Sequence, residues 1–181
     1  HGSEKHSSEE AWAPQDGLER IFYTTVTAIL TGIGFALLLI SGMIMRGEKI
    51  DTRRGLLWGA GGFIAFVLAP SLGLPPELPG MITSDILARQ TWWIATAVAS
   101  IVGLWFLVFS EKIYYKIFAV IIALTPHLVG APHPEVLSAN GVPPELAAQF
   151  VTVSIAVGGL FWALIGGFSG YFYERLERTN S

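Results

Sequence analysis

An all-α, polytopic transmembrane bundle is the fold this sequence predicts, and three observations predict it. Hydrophobic residues make up 52% of the chain and charged ones 14%, against about 25% charge in a soluble domain. So few charges cannot cover a globular surface in water, yet they suffice for the rims of a protein in a bilayer. Apolar runs recur at the length a spanning helix needs, about 20 residues. Lysine and arginine gather in alternate connections between those runs, as the positive-inside rule requires.

Five spans follow, at about 19–45, 55–73, 88–109, 113–129 and 146–173. Backbone groups in hydrocarbon must bond internally, so each run is read as a helix. The fourth is short and carries Lys116 near its start, where a long side chain snorkels to the interface. Residues 1–17 form a polar N-terminal segment, 18–173 the transmembrane domain and 174–181 a tail. One side of this arrangement receives Arg46, Lys49, Arg53, Arg54, Lys112, Lys116, Arg175 and Arg178; the other receives Lys5, Arg20 and Arg89. The first side is expected to be cytoplasmic, which places the N-terminal segment outside and the tail inside. A chain that begins at His1 on the outside, with no visible signal, suggests an upstream span and six spans in all.

Glycines mark where helices would approach closely: Gly55-x-x-x-Gly59, Gly61, Gly62, Gly158, Gly159 and Gly166-x-x-x-Gly170. Packing within one bundle is the plainer reading of them, and a dimer seam the alternative. Trp12, Trp92, Trp93, Tyr114, Tyr115, Tyr171 and Tyr173 fall near span ends and read as interfacial belts.

The sequence also repeats itself. "LAPSLGLPPEL" from Leu68 resembles "LTPHLVGAPHPEV" from Leu124, and each leads past a loop to Leu-Ala-x-Gln, at Gln90 and Gln149. A helix–loop–helix unit used twice, spans two–three and four–five, is one account of this, as a parallel repeat; Pro-Gly runs that simply end helices and stiffen short loops are the other. Pro70 and Pro126 should bend or end their helices, because each removes a donor and clashes with the preceding turn. Carbonyls freed there need a side chain, a water or an ion. Pro143-Pro144-Glu145 reads as a helix start, with Glu145 favouring the positive helix end.

No catalytic constellation stands out, and an enzyme is not expected. There is no Walker sequence, no H-E-x-x-H and no cysteine, hence neither a disulfide nor a thiolate site. A net charge of −3 gives no reason to expect nucleic acid as a partner. What remains is a set of nitrogen and oxygen ligands on the outward side. His1 and His6 lie among carboxylates in "HGSEKHSSEE"; His127, His133 and Glu135 lie in "PHLVGAPHPE"; Glu77 sits in the first Pro-Pro-Glu loop. Imidazole and carboxylate suit borderline divalent ions such as cobalt, nickel and zinc. Hydrogen bonding to loop carbonyls is the competing role for such histidines, and a solvated tether for the N-terminal tract. Arg89 either snorkels or neutralises Glu77 or Asp85, and pairing is favoured because a bare cation would repel an approaching one.

The segments "WAPQDGLER", "LTGIGFALLL", "RRGLLWGAGGFIAFVLAPSLGLPPELPGM", "RQTWW", "PHLVGAPHPE" and "VPPELAAQF" together resemble the CbtA family of cobalt-transporter membrane subunits. The resemblance covers nearly the whole chain. It implies a polytopic protein of the bacterial inner membrane, associated with cobalt supply for cobalamin and paired with a small single-span subunit, CbtB. It also implies a further N-terminal span followed by a His-rich stretch. The expected function is therefore a divalent metal permease subunit, with Co²⁺ or a similar ion as substrate and no tightly bound cofactor. Outward histidines and carboxylates would collect the ion, and the path would run past Pro70, Pro126, Arg89, Gln90, Gln149 and Glu145. The rival is a structural or assembly subunit of a larger membrane complex, since no acidic residue lies well inside any span.

Overall fold

The structure, a computed structural model, describes residues 14–47, 49–78, 81–134 and 142–180 of the 181-residue chain. Among the described residues there are five helices and no strands: α1 (Leu18–Arg46), α2 (Thr52–Ser71), α3 (Ile86–Phe109), α4 (Ile113–Val129) and α5 (Pro144–Asn180). Four are long and apolar enough to cross a membrane, and α4, at 17 residues, is a shorter apolar helix. The protein is a multi-pass helical bundle. Each predicted span coincides with one helix, but two ends differ. The helix α2 starts at Thr52, where the Asp51 carboxylate accepts the Arg54 backbone N–H at 2.8 Å, a cap that pulls the start ahead of the apolar run. And α5 runs on through 174–180, which the sequence assigned to a tail. Its 37 residues make a rod of about 55 Å, well beyond a hydrocarbon core of about 30 Å.

Local chemistry sets most of the other ends. Gly47 adopts φ 68°, a left-handed conformation that glycine reaches without a Cβ clash, and its N–H closes α1 on the Ile44 carbonyl. Asp85 caps α3 by accepting the Ala88 N–H at 2.9 Å. Pro144 opens α5 with Glu145 in its first turn, as the sequence predicted.

Two interfaces dominate. In the first, α2 packs on α5 with glycines of both helices at the closest approach. A Cβ on Gly55 would strike the Gly166 carbonyl, one on Gly59 the Trp162 carbonyl, and one on Gly170 the Asp51 carbonyl. The small-residue stripe is thus consumed inside the chain, leaving these positions no role in a dimer seam. In the second, α3 packs on α4, where a Cβ on Gly103 would sit 3.0 Å from the Ala119 carbonyl oxygen. These are the two interfaces that a two-fold axis along the membrane normal would interchange, if α2 maps to α4 and α3 to α5. Each proposed unit's first helix lies against the other unit's second. Between α1, α2 and α5, Trp162 stacks on Phe66 at 5.4 Å and meets Phe35 at 4.8 Å, over a buried floor of Leu39 and Met43.

The bundle has a basic end and a proline end. At the basic end the Arg46 guanidinium lies over the Phe109 ring at 4.6 Å, tying the α1–α2 connection to the α3–α4 connection. At the other end the Ser84 hydroxyl donates to the Pro132 carbonyl at 3.0 Å, so the two proline-rich loops meet. Alternation of the helices thus gathers the charges as the sequence predicted.

Candidate functional site

A cleft of about 690 Å³ opens at the proline end, between the end of α2, the loop that follows and the start of α3. The course of α2 explains it. Residues Ile64–Leu68 form a π-helical turn, in which the Ala69 N–H reaches back to the Ile64 carbonyl. Pro70 follows and has no N–H, so the ladder cannot simply return to i−4 pairing. The Ser71 hydroxyl donates to the Val67 carbonyl at 2.6 Å. The helix then ends, and Pro75, Pro76 and Glu77 pass along one wall of the cleft.

Three of the predicted path residues, Pro70, Arg89 and Gln90, line this cleft together with Glu77. Arg89 donates from a terminal nitrogen to the Glu77 carboxylate, and both side chains are mostly buried. The sequence reading favoured pairing with Glu77 or Asp85; Asp85 is instead committed to its cap. The Arg89 Nε is buried without a hydrogen-bond partner among the described residues, an omission that costs about 1–3 kcal/mol. Gln90 is exposed to the cleft, while Gln149 and Glu145 lie exposed on the first turns of α5.

The histidine side of the site sits across α3. Trp92 is buried, and its indole N–H donates to the Pro126 carbonyl at 3.0 Å. The Gly130 N–H reaches the same oxygen at 3.1 Å. His127, half-buried, stands edge-on to the Trp92 ring at 5.6 Å. The Trp92 ring also fills the space beside Gly73, so a Cβ at Gly73 would strike it. Trp92 therefore locks the ends of α2, α3 and α4 together. Assigning it to an interfacial belt was wrong: its neighbour Trp93 faces the cleft, and a turn of 100° separates the two roles. His133 is exposed, beside the carbonyl that Ser84 holds. His1, His6 and Glu135 lie outside the described residues. Among the described residues no three histidines or carboxylates gather into a group able to hold a metal ion.

The fold defines a multi-pass helical membrane protein with a cleft at its proline end that holds the Glu77–Arg89 pair. Its family is settled by the whole chain. It belongs to CbtA, described as "Probable cobalt transporter subunit (CbtA)", whose family model matches residues 1–174. No curated protein and no solved structure is matched by the chain.

Proposed function

We propose that this chain is the membrane subunit through which a divalent cation, Co²⁺ or a close relative, enters the cell. The proline end faces outward and the basic end the cytoplasm of a bacterium. The observation that carries this reading is the Glu77 carboxylate in the cleft, held by Arg89. A carboxylate on a cation path needs a counter-charge while the path is empty, and Arg89 supplies it. An arriving cation takes Glu77 from Arg89, and the guanidinium, with its Nε already unsatisfied, swings to new partners. Gln90 and loop carbonyls add weak oxygen ligands, and His133, His127, Glu135, His1 and His6 act before them as collectors. Weak, shared ligation suits passage, because an ion held too tightly does not leave. The chain itself performs no catalysis and carries no resident cofactor; a single-span, CbtB-like subunit completes the transporter.

The test is uptake of Co²⁺ into vesicles carrying the full chain with its partner subunit. Glu77→Gln should reduce uptake at least tenfold, and Glu111→Gln, exposed at the opposite end of the bundle, should change it less than twofold. Equal uptake by the Glu77→Gln protein and the parent rejects the path. A second reading, a docking subunit, draws support from the absence of a three-ligand group among the described residues. It requires that Co²⁺ uptake be indifferent to all of these side chains while the chain copurifies in fixed ratio with a larger complex.

A further inference from the structure

A second cavity, of about 760 Å³, opens from the basic end between α1 and α3, with α2 as its floor. Its walls are apolar, Leu38, Trp58 and Trp105 among them. Arg46 and Arg54 stand at its mouth, each engaged with neighbours: Arg46 over the Phe109 ring, and Arg54 donating to the Lys49 carbonyl at 2.6 Å. Its inner end reaches Phe66, which alone among the described residues lines both this cavity and the proline-end cleft. The two hollows enter the bundle from opposite ends and meet at one side chain.

Rings from both hollows close on it. Trp93, on the cleft side, faces Phe66 at 6.0 Å, and Trp162, on the inner side, stacks on it with 9° between the planes. Phe35 meets it edge-on at 5.1 Å. A constriction of apolar rings stops an ion, because its walls offer nothing to replace the water the ion must shed. The backbone beneath Phe66 is irregular at the same place, since Phe66 is the middle residue of the π-helical turn Ile64–Leu68. In an α-ladder its carbonyl would accept from residue 70, but Pro70 has no N–H. No α-type bond therefore fixes this peptide. When a widened turn moves along a helix by one position, the residue it passes rotates by about 100°. We propose that Phe66 is the closed barrier of the ion path, and that a shift of the π-turn swings it aside and joins the cleft to the inner cavity. The barrier rests on the transport reading of the cleft, and adds to it the route beyond Glu77 and the residue that shuts it.

A thiol in the inner cavity reports the barrier without any metal. Gly61 lines that cavity and a Cβ there meets nothing within 4 Å, so Gly61→Cys is introduced into the full chain, which has no native cysteine. A small charged methanethiosulfonate is added to either side of sealed vesicles, and Thr83→Cys, exposed at the proline end, marks which side is which. With Phe66 intact, modification should be at least tenfold faster from the basic side. Phe66→Ala should raise the proline-side rate at least tenfold and change the basic-side rate less than threefold. Phe66→Leu, which keeps most of the apolar packing, should raise the proline-side rate at least threefold, and it decides alone if Phe66→Ala loses its thermal transition. Equal rates from both sides with Phe66 intact overturn the barrier, as does no modification from either side. So does a proline-side rate indifferent to Phe66, or one that rises only together with the basic-side rate. Labelling indifferent to Phe66 strikes the barrier and leaves Glu77-dependent uptake standing; uptake indifferent to Glu77 strikes the cargo and leaves the labelling result standing.

Discussion

Replacing Glu77 by Gln strands the Arg89 charge in a mostly buried position. Exposed ion pairs contribute about 0–1 kcal/mol and breaking fully buried ones costs about 3–5, so this pair should fall between, near 2 kcal/mol. The expected result is a lower thermal midpoint in detergent for Glu77→Gln and for Arg89→Gln, with the double variant less destabilised than the two single losses summed. A double-mutant cycle that shows simple additivity would dismiss the pair as incidental. Trp92→Phe removes one hydrogen bond, about 1 kcal/mol, and also the far indole atoms Cζ2 and Cη2 that fill the space beside Gly73, so it should cost more than the bond alone. Amide exchange should accelerate at 126–134 while α1 is unaffected. At this scale the sequence was half legible. That Arg89 is paired could be expected in advance, because a lone cation near a cation path demands neutralisation, but the choice of Glu77 over Asp85 came from the structure. The role of Trp92 could not, because a belt tryptophan and a buried one look alike until the neighbour that accepts the N–H is known. The histidines stay the least constrained, since the spacing of His127 and His133 across Pro132 fits no regular ligand geometry.

Elements were more legible than residues, for a physical reason: hydrocarbon thickness and backbone satisfaction leave helices few choices of length. The exceptions are where local chemistry overrides hydropathy, at the Asp51 cap and in the polar extension of α5. Glycine spacing announced a close approach, and the structure supplies its partner, one helix's carbonyls against the other's bare Cα atoms. Gly59→Val should therefore push α2 from α5 and abolish a cooperative thermal transition, whereas Gly61→Val, two residues on and facing open space, should retain it. Similar losses in both variants would mean that helix propensity, not the interface, is decisive. The π-turn was not foreseeable, because its existence depends on how Pro70 is accommodated. Such a turn is an α-helix with one residue too many, and here the widening keeps the proline ring off the preceding carbonyl. Deleting Val67 should cost more stability in the parent than in a Pro70→Ala background, where a straight ladder becomes possible; the difference in thermal midpoints checks it.

The whole molecule offers a test of sidedness, since the chain has no native cysteine. Thr83 and Glu111 are exposed at opposite ends of the bundle. Thr83→Cys should react with an impermeant maleimide in intact spheroplasts, and Glu111→Cys only after permeabilisation; the reverse pattern would invert the topology and remove the outward cleft. Ile50 is a poor choice for such a probe, being 4% exposed and silent in either orientation. The packing of α2 against the last helix, α5, has a further consequence, for the order of events at the ribosome. Gly59 is made 111 residues before Gly170, the far end of the surface its helix packs against. At about 5–20 residues per second, α2 waits in the bilayer for roughly 6–22 s with its backbone face bare. Something must occupy that face meanwhile, whether lipid, the insertion machinery or another chain. The longer translation pauses before α5, the more the outcome of assembly depends on which one arrives.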